Sequence, residues 1–101
     1  MDNEKCDCCK HKNTPRPIEE KKALKNRLNR MIGQLEGISK MIDEDRYCGD
    51  IIIQISAVES ALRSLGYSVL DTHIKTCVKE EIIKGNDNIT DEVMELIKKL
   101  K

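Results

Sequence analysis

The chain has 101 residues, and its 18 Lys and Arg balance its 18 Asp and Glu, so no net field draws it to nucleic acid. Phe, Trp and Tyr together amount to two tyrosines, too few to line a substrate cleft, and no apolar run approaches membrane-spanning length. What remains is one domain of long amphipathic helices with narrow apolar seams, short enough to need oligomerisation to bury sufficient surface.

Residues 1–17 read as a disordered polar tail. Pro15 and Pro17 oppose helix there, and the tail carries the ligand-rich cluster Cys6-x-Cys8-Cys9-x-His11. No secretory leader is visible in it. The five cysteines of the chain are therefore expected as reduced thiols in the cytoplasm, used for metal or redox work, with the tail cluster a candidate for metal capture or delivery. A single helical domain is expected over 18–101.

The first helix is expected from Ile18, with Glu19 and Glu20 favourable in its first turn. Leu24, Leu28, Met31, Leu35, Ile38 and Ile42 step by four and three, which is a heptad seam. Gly33 and Gly37 share a face, either for close backbone approach or as tolerated glycines. Residues 43–46 read as the turn. A second helix is expected from about Tyr47 to about Lys84, with Cys48, Ile51, Ile55, Val58, Leu62, Leu65 and Val69 as its seam. Gly66 could break this helix into a hairpin, but the apolar phase does not change across it, which favours continuity. Gly85 suits the position just past a helix end, and Thr90 suits an N-cap. A third helix follows, with Val93, Leu96, Ile97 and Leu100 as its apolar side and Lys98, Lys99 and Lys101 at its C-terminal end.

Cys48, His73 and Cys77 lie on the second helix, on its seam. His73 and Cys77 are four apart and can grip one ion from one face. On a uniform α-helix both fall within roughly 20° of the Cys48 direction, yet Cys48 lies roughly 37 Å from His73 along the axis. One straight helix cannot bring the three to one ion. An antiparallel second copy can, with Cys48 of one chain meeting His73 and Cys77 of the other, which gives a dimer with two shared sites. Singly, each residue also reads as an ordinary core residue. Together, two thiolates and an imidazole form a soft donor set that selects Cu(I) or Zn(II), and three ligands suit trigonal Cu(I).

Lys21, Lys22, Lys25, Arg27 and Arg30 form an acid-free basic segment on the first helix. It reads either as a solvated face or as a patch for phosphate, and symmetry would duplicate it. Nothing supports catalysis: no nucleophile–base pair with an orienting group is evident, nor any Gly-rich phosphate loop.

Three stretches are similar to the CsoR/RcnR family of bacterial metal-sensing repressors. Arg27-Leu28-x-Arg30-x-x-Gly33-Gln34-x-x-Gly37-Ile38 resembles its first-helix signature. Asp45-Arg46-Tyr47-Cys48-x-Asp50 with Gln54-Ile55-Ser56-Ala57-Val58 resembles its second. His73-x-x-x-Cys77-Val78 follows at the family's spacing. The resemblance covers about residues 20–100. It implies an all-α, three-helix protomer, an antiparallel four-helix-bundle dimer, and a dimer of dimers. It further implies that the metal-free form binds operator DNA and the ligand-bound form releases it.

Within that family, Cys48, His73 and Cys77 resemble the copper-sensing branch. Nickel and cobalt sensors generally add an N-terminal His where this chain has Arg16-Pro17-Ile18. Persulfide sensors keep both cysteines but usually lack the His, and formaldehyde sensors usually lack the second Cys. By resemblance, Tyr47 and Glu92 stand behind the metal ligands, the latter with a one-residue gap in the 86–89 loop. Arg27 matches a DNA-contact arginine, and Arg63 lies near another such position. The expectation is a Cu(I)-responsive repressor and not an enzyme, a cytoplasmic homodimer or homotetramer with operator DNA as partner, no membrane association, and a copper chaperone as a candidate source of the ion. A persulfide or thiol redox repressor of the same family, a sensor of nickel or zinc, and a metal-storage or delivery protein are the alternatives.

Overall fold

The computed structural model describes residues 16–101, all of whose regular structure is helical. The tail cluster of Cys6, Cys8, Cys9 and His11 lies outside the described residues. The described chain falls into two compact units, residues 16–65 and residues 66–101, which are taken separately below.

In the first unit, α1 runs from Ile18 to Asp43 and α2 opens at Cys48. The Pro17 carbonyl accepts the Lys21 amide at 3.0 Å, and Glu19 and Glu20 occupy the first turn, as their charge favours. At the other end the Arg46 amide reaches back to the Met41 carbonyl at 3.0 Å, and the Asp45 amide to Ile42 at 3.1 Å. These two bonds form a Schellman closure, and Asp45 takes the left-handed conformation it requires, φ 55°. The Tyr47 carbonyl then accepts the Asp50 and Ile51 amides to start α2.

The expected seam divides into two rows. On α1, Met31 and Ile38 are buried and Leu24 half-buried, whereas Leu28, Leu35 and Ile42 are exposed. On α2, Val58 and Leu65 are buried and Ile51 half-buried, whereas Cys48, Ile55 and Leu62 are exposed. Each row repeats every seven residues, so one row is covered within the protomer and the other is left bare. Gly33 and Gly37 have open space where a Cβ would stand, so within the protomer neither marks a close approach.

α2 runs without a break to His73. Gly66 does not interrupt it. A Cβ there would come within 2.5 Å of Leu100 Cδ2, so the glycine makes room for the end of the last helix. After His73, residues Ile74–Val78 form a π-turn, followed by α3 (Lys79–Ile83) and α4 (Ile89–Lys99). The expected long helix is therefore present to Ile83 but is not uniform. The α-periodicity that placed Cys77 within roughly 20° of the Cys48 direction does not hold through the π-turn, where a wider turn resets the phase.

Gly85, at φ 87°, closes α3 with the same two-bond Schellman pattern, Asn86 amide to Glu81 carbonyl and Gly85 amide to Ile82 carbonyl, both 2.9 Å. Thr90 is not the cap of the last helix. Asn88 stands at that position, and the Thr90 hydroxyl donates to the Asp87 carbonyl at 2.9 Å. Cys77, Val78 and Ile89 form the core of this unit, with Val93 packed on it. No helix among the described residues is long and apolar enough to cross a membrane.

Candidate metal centre and nucleic-acid surface

Cys48 is the first residue of α2 and a free, exposed thiol. It heads the bare apolar row that continues through Ile55 and Leu62, seven residues apart. Tyr47 precedes it with a largely exposed ring, and the ring lies so close to Gly49 that a Cβ there would overlap it at 2.5 Å. Gly49 thus lets the Tyr47 ring fold over the start of the helix.

In the other unit, His73 closes α2 and Glu92 comes from the first turn of α4. His73 Nε2 lies 3.7 Å from Glu92 Oε2, beyond hydrogen-bond distance. His73 Nε2 and Glu92 Oε1 are both buried without a hydrogen-bond partner. An unsatisfied buried imidazole nitrogen facing a buried carboxylate is costly unless another state of the protein uses it. Cys77, one π-turn on, is only 3% exposed, at the centre of the small core with Ile89, which is fully buried. Cys77 departs from the expectation of reduced thiols: its sulfur is disulfide-bonded, so it becomes a metal ligand only after reduction. Among the described residues, no three His, Cys, Asp or Glu side chains of one chain gather into a metal-binding group.

Glu81, two turns beyond His73, is also buried, but its carboxylate accepts the Asn86 side-chain amide at 2.9 Å and lies 3.8 Å from Lys84 Nζ. Its burial is explained by the loop it fastens.

The basic residues do not act as one block. Arg27, Arg30, Met31, Gln34, Ala61 and Ser64 line an open cleft of 490 Å³ between α1 and the middle of α2. Arg27 Nη2 donates to Ser64 Oγ at 3.1 Å. Lys21, Lys22 and Lys25 are exposed on α1 outside that lining, and Arg63 is exposed outside it too. The cleft opens on a different side of the helix pair from the bare apolar rows. On α1 the lining residues 27, 30 and 34 and the exposed residues 28, 35 and 42 flank the buried Met31 and Ile38. Sequence reasoning missed Gln34 and Ser64. Ser64 stands one residue from Arg63, which the family resemblance had put near a DNA-contact position; only the helix phase, fixed by buried Leu65 and Val58, turns Ser64 toward Arg27.

Comparison with known proteins gives the family and the fold. The family model of metal-sensitive transcriptional repressors matches residues 20–99. The copper-sensing transcriptional repressor RicR of Mycobacterium tuberculosis is 42% identical over 77 residues, 76% of this chain and 80% of that one. The copper-sensing transcriptional repressor CsoR of Bacillus subtilis is 39% identical over 82 residues, 80% of this chain and 81% of that one. Among solved structures, the copper-sensing repressor CsoR with Cu(I) from Geobacillus thermodenitrificans matches with a TM-score of 0.78 and 40% identity, covering 86% of this chain and 92% of its own. The nickel-responsive transcriptional regulator InrS matches with a TM-score of 0.69 and 27% identity, covering 90% of this chain and all of its own.

Proposed function

We propose, for a chain that belongs to the family of metal-sensitive transcriptional repressors, a Cu(I)-responsive repressor that acts on DNA in the cytoplasm. The observation that carries the reading is the place of Cys48. It is a free thiol at the head of an exposed heptad row, where a second copy must pack if Ile55 and Leu62 are to be covered. An antiparallel partner brings that thiol to His73 and Cys77 of its neighbour. Two such pairs forming a dimer of dimers completes the assembly.

The residues fit the ion. Two thiolates and one imidazole are soft donors with the count that Cu(I) accepts. The orphaned Nε2 of His73 faces Glu92, so Nδ1 is left for the metal, and closing the 3.7 Å gap would let the carboxylate orient the ring as such partners do for metal-bound histidines. Glu92 lies in the first turn of α4, so a hydrogen bond from His73 to Glu92 would tie the ligand to that helix. Tyr47, adjacent to Cys48, stands behind the thiol. Cys48 of one protomer with His73 and Cys77 of its neighbour would hold Cu(I), which when bound would supply the added bonding between protomers that favours the DNA-releasing arrangement. Arg27 and Arg30, with Gln34 and Ser64, hold a backbone phosphate of the operator, and the exposed Lys21, Lys22, Lys25 and Arg63 add charge around it.

Anaerobic Cu(I) titration of the fully reduced protein tests this. One ion per protomer and release of a fragment from upstream of its own gene are expected. Cys48→Ala and Cys77→Ala should keep operator binding and lose the copper response. Full response in both variants would refute the site. The disulfide at Cys77 favours one second reading, a thiol-sensing repressor that crosslinks Cys77. Polysulfide treatment of the wild-type protein and of His73→Ala separates the two. Release by polysulfide in both, with no response to copper in either, would support the second reading.

A further inference from the structure

We propose that Thr76 is a positioning residue for the metal site: its hydroxyl holds the backbone in the π-turn that joins His73 to Cys77, and so sets how the two donors face one ion. The inference rests on the copper reading above and adds to it a residue that touches no metal. The π-turn Ile74–Val78 begins at the residue after His73 and contains Cys77. Its signature bond is present: the Lys79 amide donates to the Ile74 carbonyl, five residues back. Such turns are uncommon and concentrate at functional sites.

The side chains supply a local cause. Thr76 Oγ1 donates to the Thr72 carbonyl at 2.8 Å, and Thr72 Oγ1 makes a longer bond of the same kind to the Ser68 carbonyl at 3.5 Å. In an α-helix the Thr72 carbonyl would take the Thr76 amide. A threonine hydroxyl that captures the carbonyl four residues back competes with that amide and bends the helix. The capture at Thr76 sits one residue before Cys77, at the point where the helix widens.

The geometric consequence is direct. Four residues overshoot one α-turn by roughly 40°. Where bonds close five residues back, the same four residues no longer overshoot it. The direction of Cys77 relative to His73 therefore depends on which helix type joins them. In the π form, Cys77 points into the core with Val78 and Ile89. Thr76 itself is exposed, so a change there leaves that core filled.

The test uses the full chain, reduced, with Thr76→Val and Thr76→Ser. Valine keeps the branched shape and removes the hydroxyl; serine keeps the hydroxyl. Cu(I) affinity is read by competition with a chelator of known affinity, and the ligand set by X-ray absorption. Thr76→Val should bind Cu(I) about 10–100-fold more weakly, the usual range for groups that orient a metal ligand. Its absorption spectrum should change, while its assembly size and metal-free operator binding should not. Thr76→Ser should restore affinity and spectrum. Carbon chemical shifts of residues 73–79 should move toward uniform α-helix in the valine variant alone. Equal Cu(I) affinity and spectra in wild type and Thr76→Val would overturn the inference and leave the copper reading intact. So would a serine variant as impaired as the valine one, which decides the matter even if valine harms folding. A wild-type chain that takes up no Cu(I) would overturn both.

Discussion

Two residues close helices in the same way with different side chains. Asp45 ends α1 and Gly85 ends α3, each at positive φ within a Schellman closure. The left-handed conformation costs an ordinary L-residue about 1–2 kcal/mol, glycine nothing, and aspartate less than most. Gly85→Ala should therefore lower stability by about 1–2 kcal/mol, and Asp45→Gly should not lower it by strain. Urea unfolding of both variants checks this, read as a fall in midpoint at unchanged slope for Gly85→Ala. An unchanged midpoint there would mean that the 84–88 turn is not held as described. Gly85 was legible in the sequence because glycine after a helical run has one usual meaning. Asp45 was not, because aspartate is equally at home in any turn. The proposed metal donors stood out in the sequence for another reason: two thiols and an imidazole at helical spacing on one expected seam are rare. Gln34 and Ser64 carry no such mark, and only the phase of their helices brings them beside Arg27.

At the level of the helix, the heptad seam was readable from spacing but its division was not. Periodicity gives an apolar face and says nothing of which half is covered by the same chain. The structure separates Met31 and Ile38 from Leu28, Leu35 and Ile42, and Val58 and Leu65 from Ile55 and Leu62. Leu35 is 53% exposed and Leu62 54%, so neither contributes much to the fold of one protomer. Burial of a leucine side chain is worth about 1.5–3 kcal/mol, and a charge placed in an apolar interface costs more than that gain. Leu62→Glu should thus leave the helical circular dichroism of the protomer nearly intact and shift sedimentation toward smaller species. Cu(I) affinity should fall with it, because Cys48 loses its neighbour's His73 and Cys77. A variant that stays fully assembled would remove the bare row from the proposed interface. The π-turn was the feature no pattern announced. It inserts its extra width without a change of composition, and Thr72 and Thr76 read as ordinary helical residues until their hydroxyls are seen on backbone carbonyls.

Across the proposed assembly, His73 and Cys77 belong to residues 66–101, whereas Cys48 shares residues 16–65 with the Arg27 cleft, and communication between the proposed copper and DNA sites is a free energy shared by two equilibria. Linkage fixes its form. If copper weakens operator binding by some factor, operator DNA must weaken copper binding by the same factor, and couplings of this kind run about 1–3 kcal/mol, or 5–150-fold. Four measurements close the cycle: operator affinity with and without Cu(I), and Cu(I) affinity with and without operator. The two ratios should agree. Arg27→Ala separates the ends of the cycle. Loss of one phosphate contact should weaken operator binding at every copper level and flatten its salt dependence by about one unit of slope per contact removed. Copper stoichiometry should stay as it was, since Arg27 lines the cleft with Ser64 and is none of the proposed donors. His73→Ala should do the opposite, sparing DNA and removing the copper term. If instead Arg27→Ala abolished copper uptake, the cleft and the donor set would form one site, and the repressor would not be the two-site device that reciprocity requires.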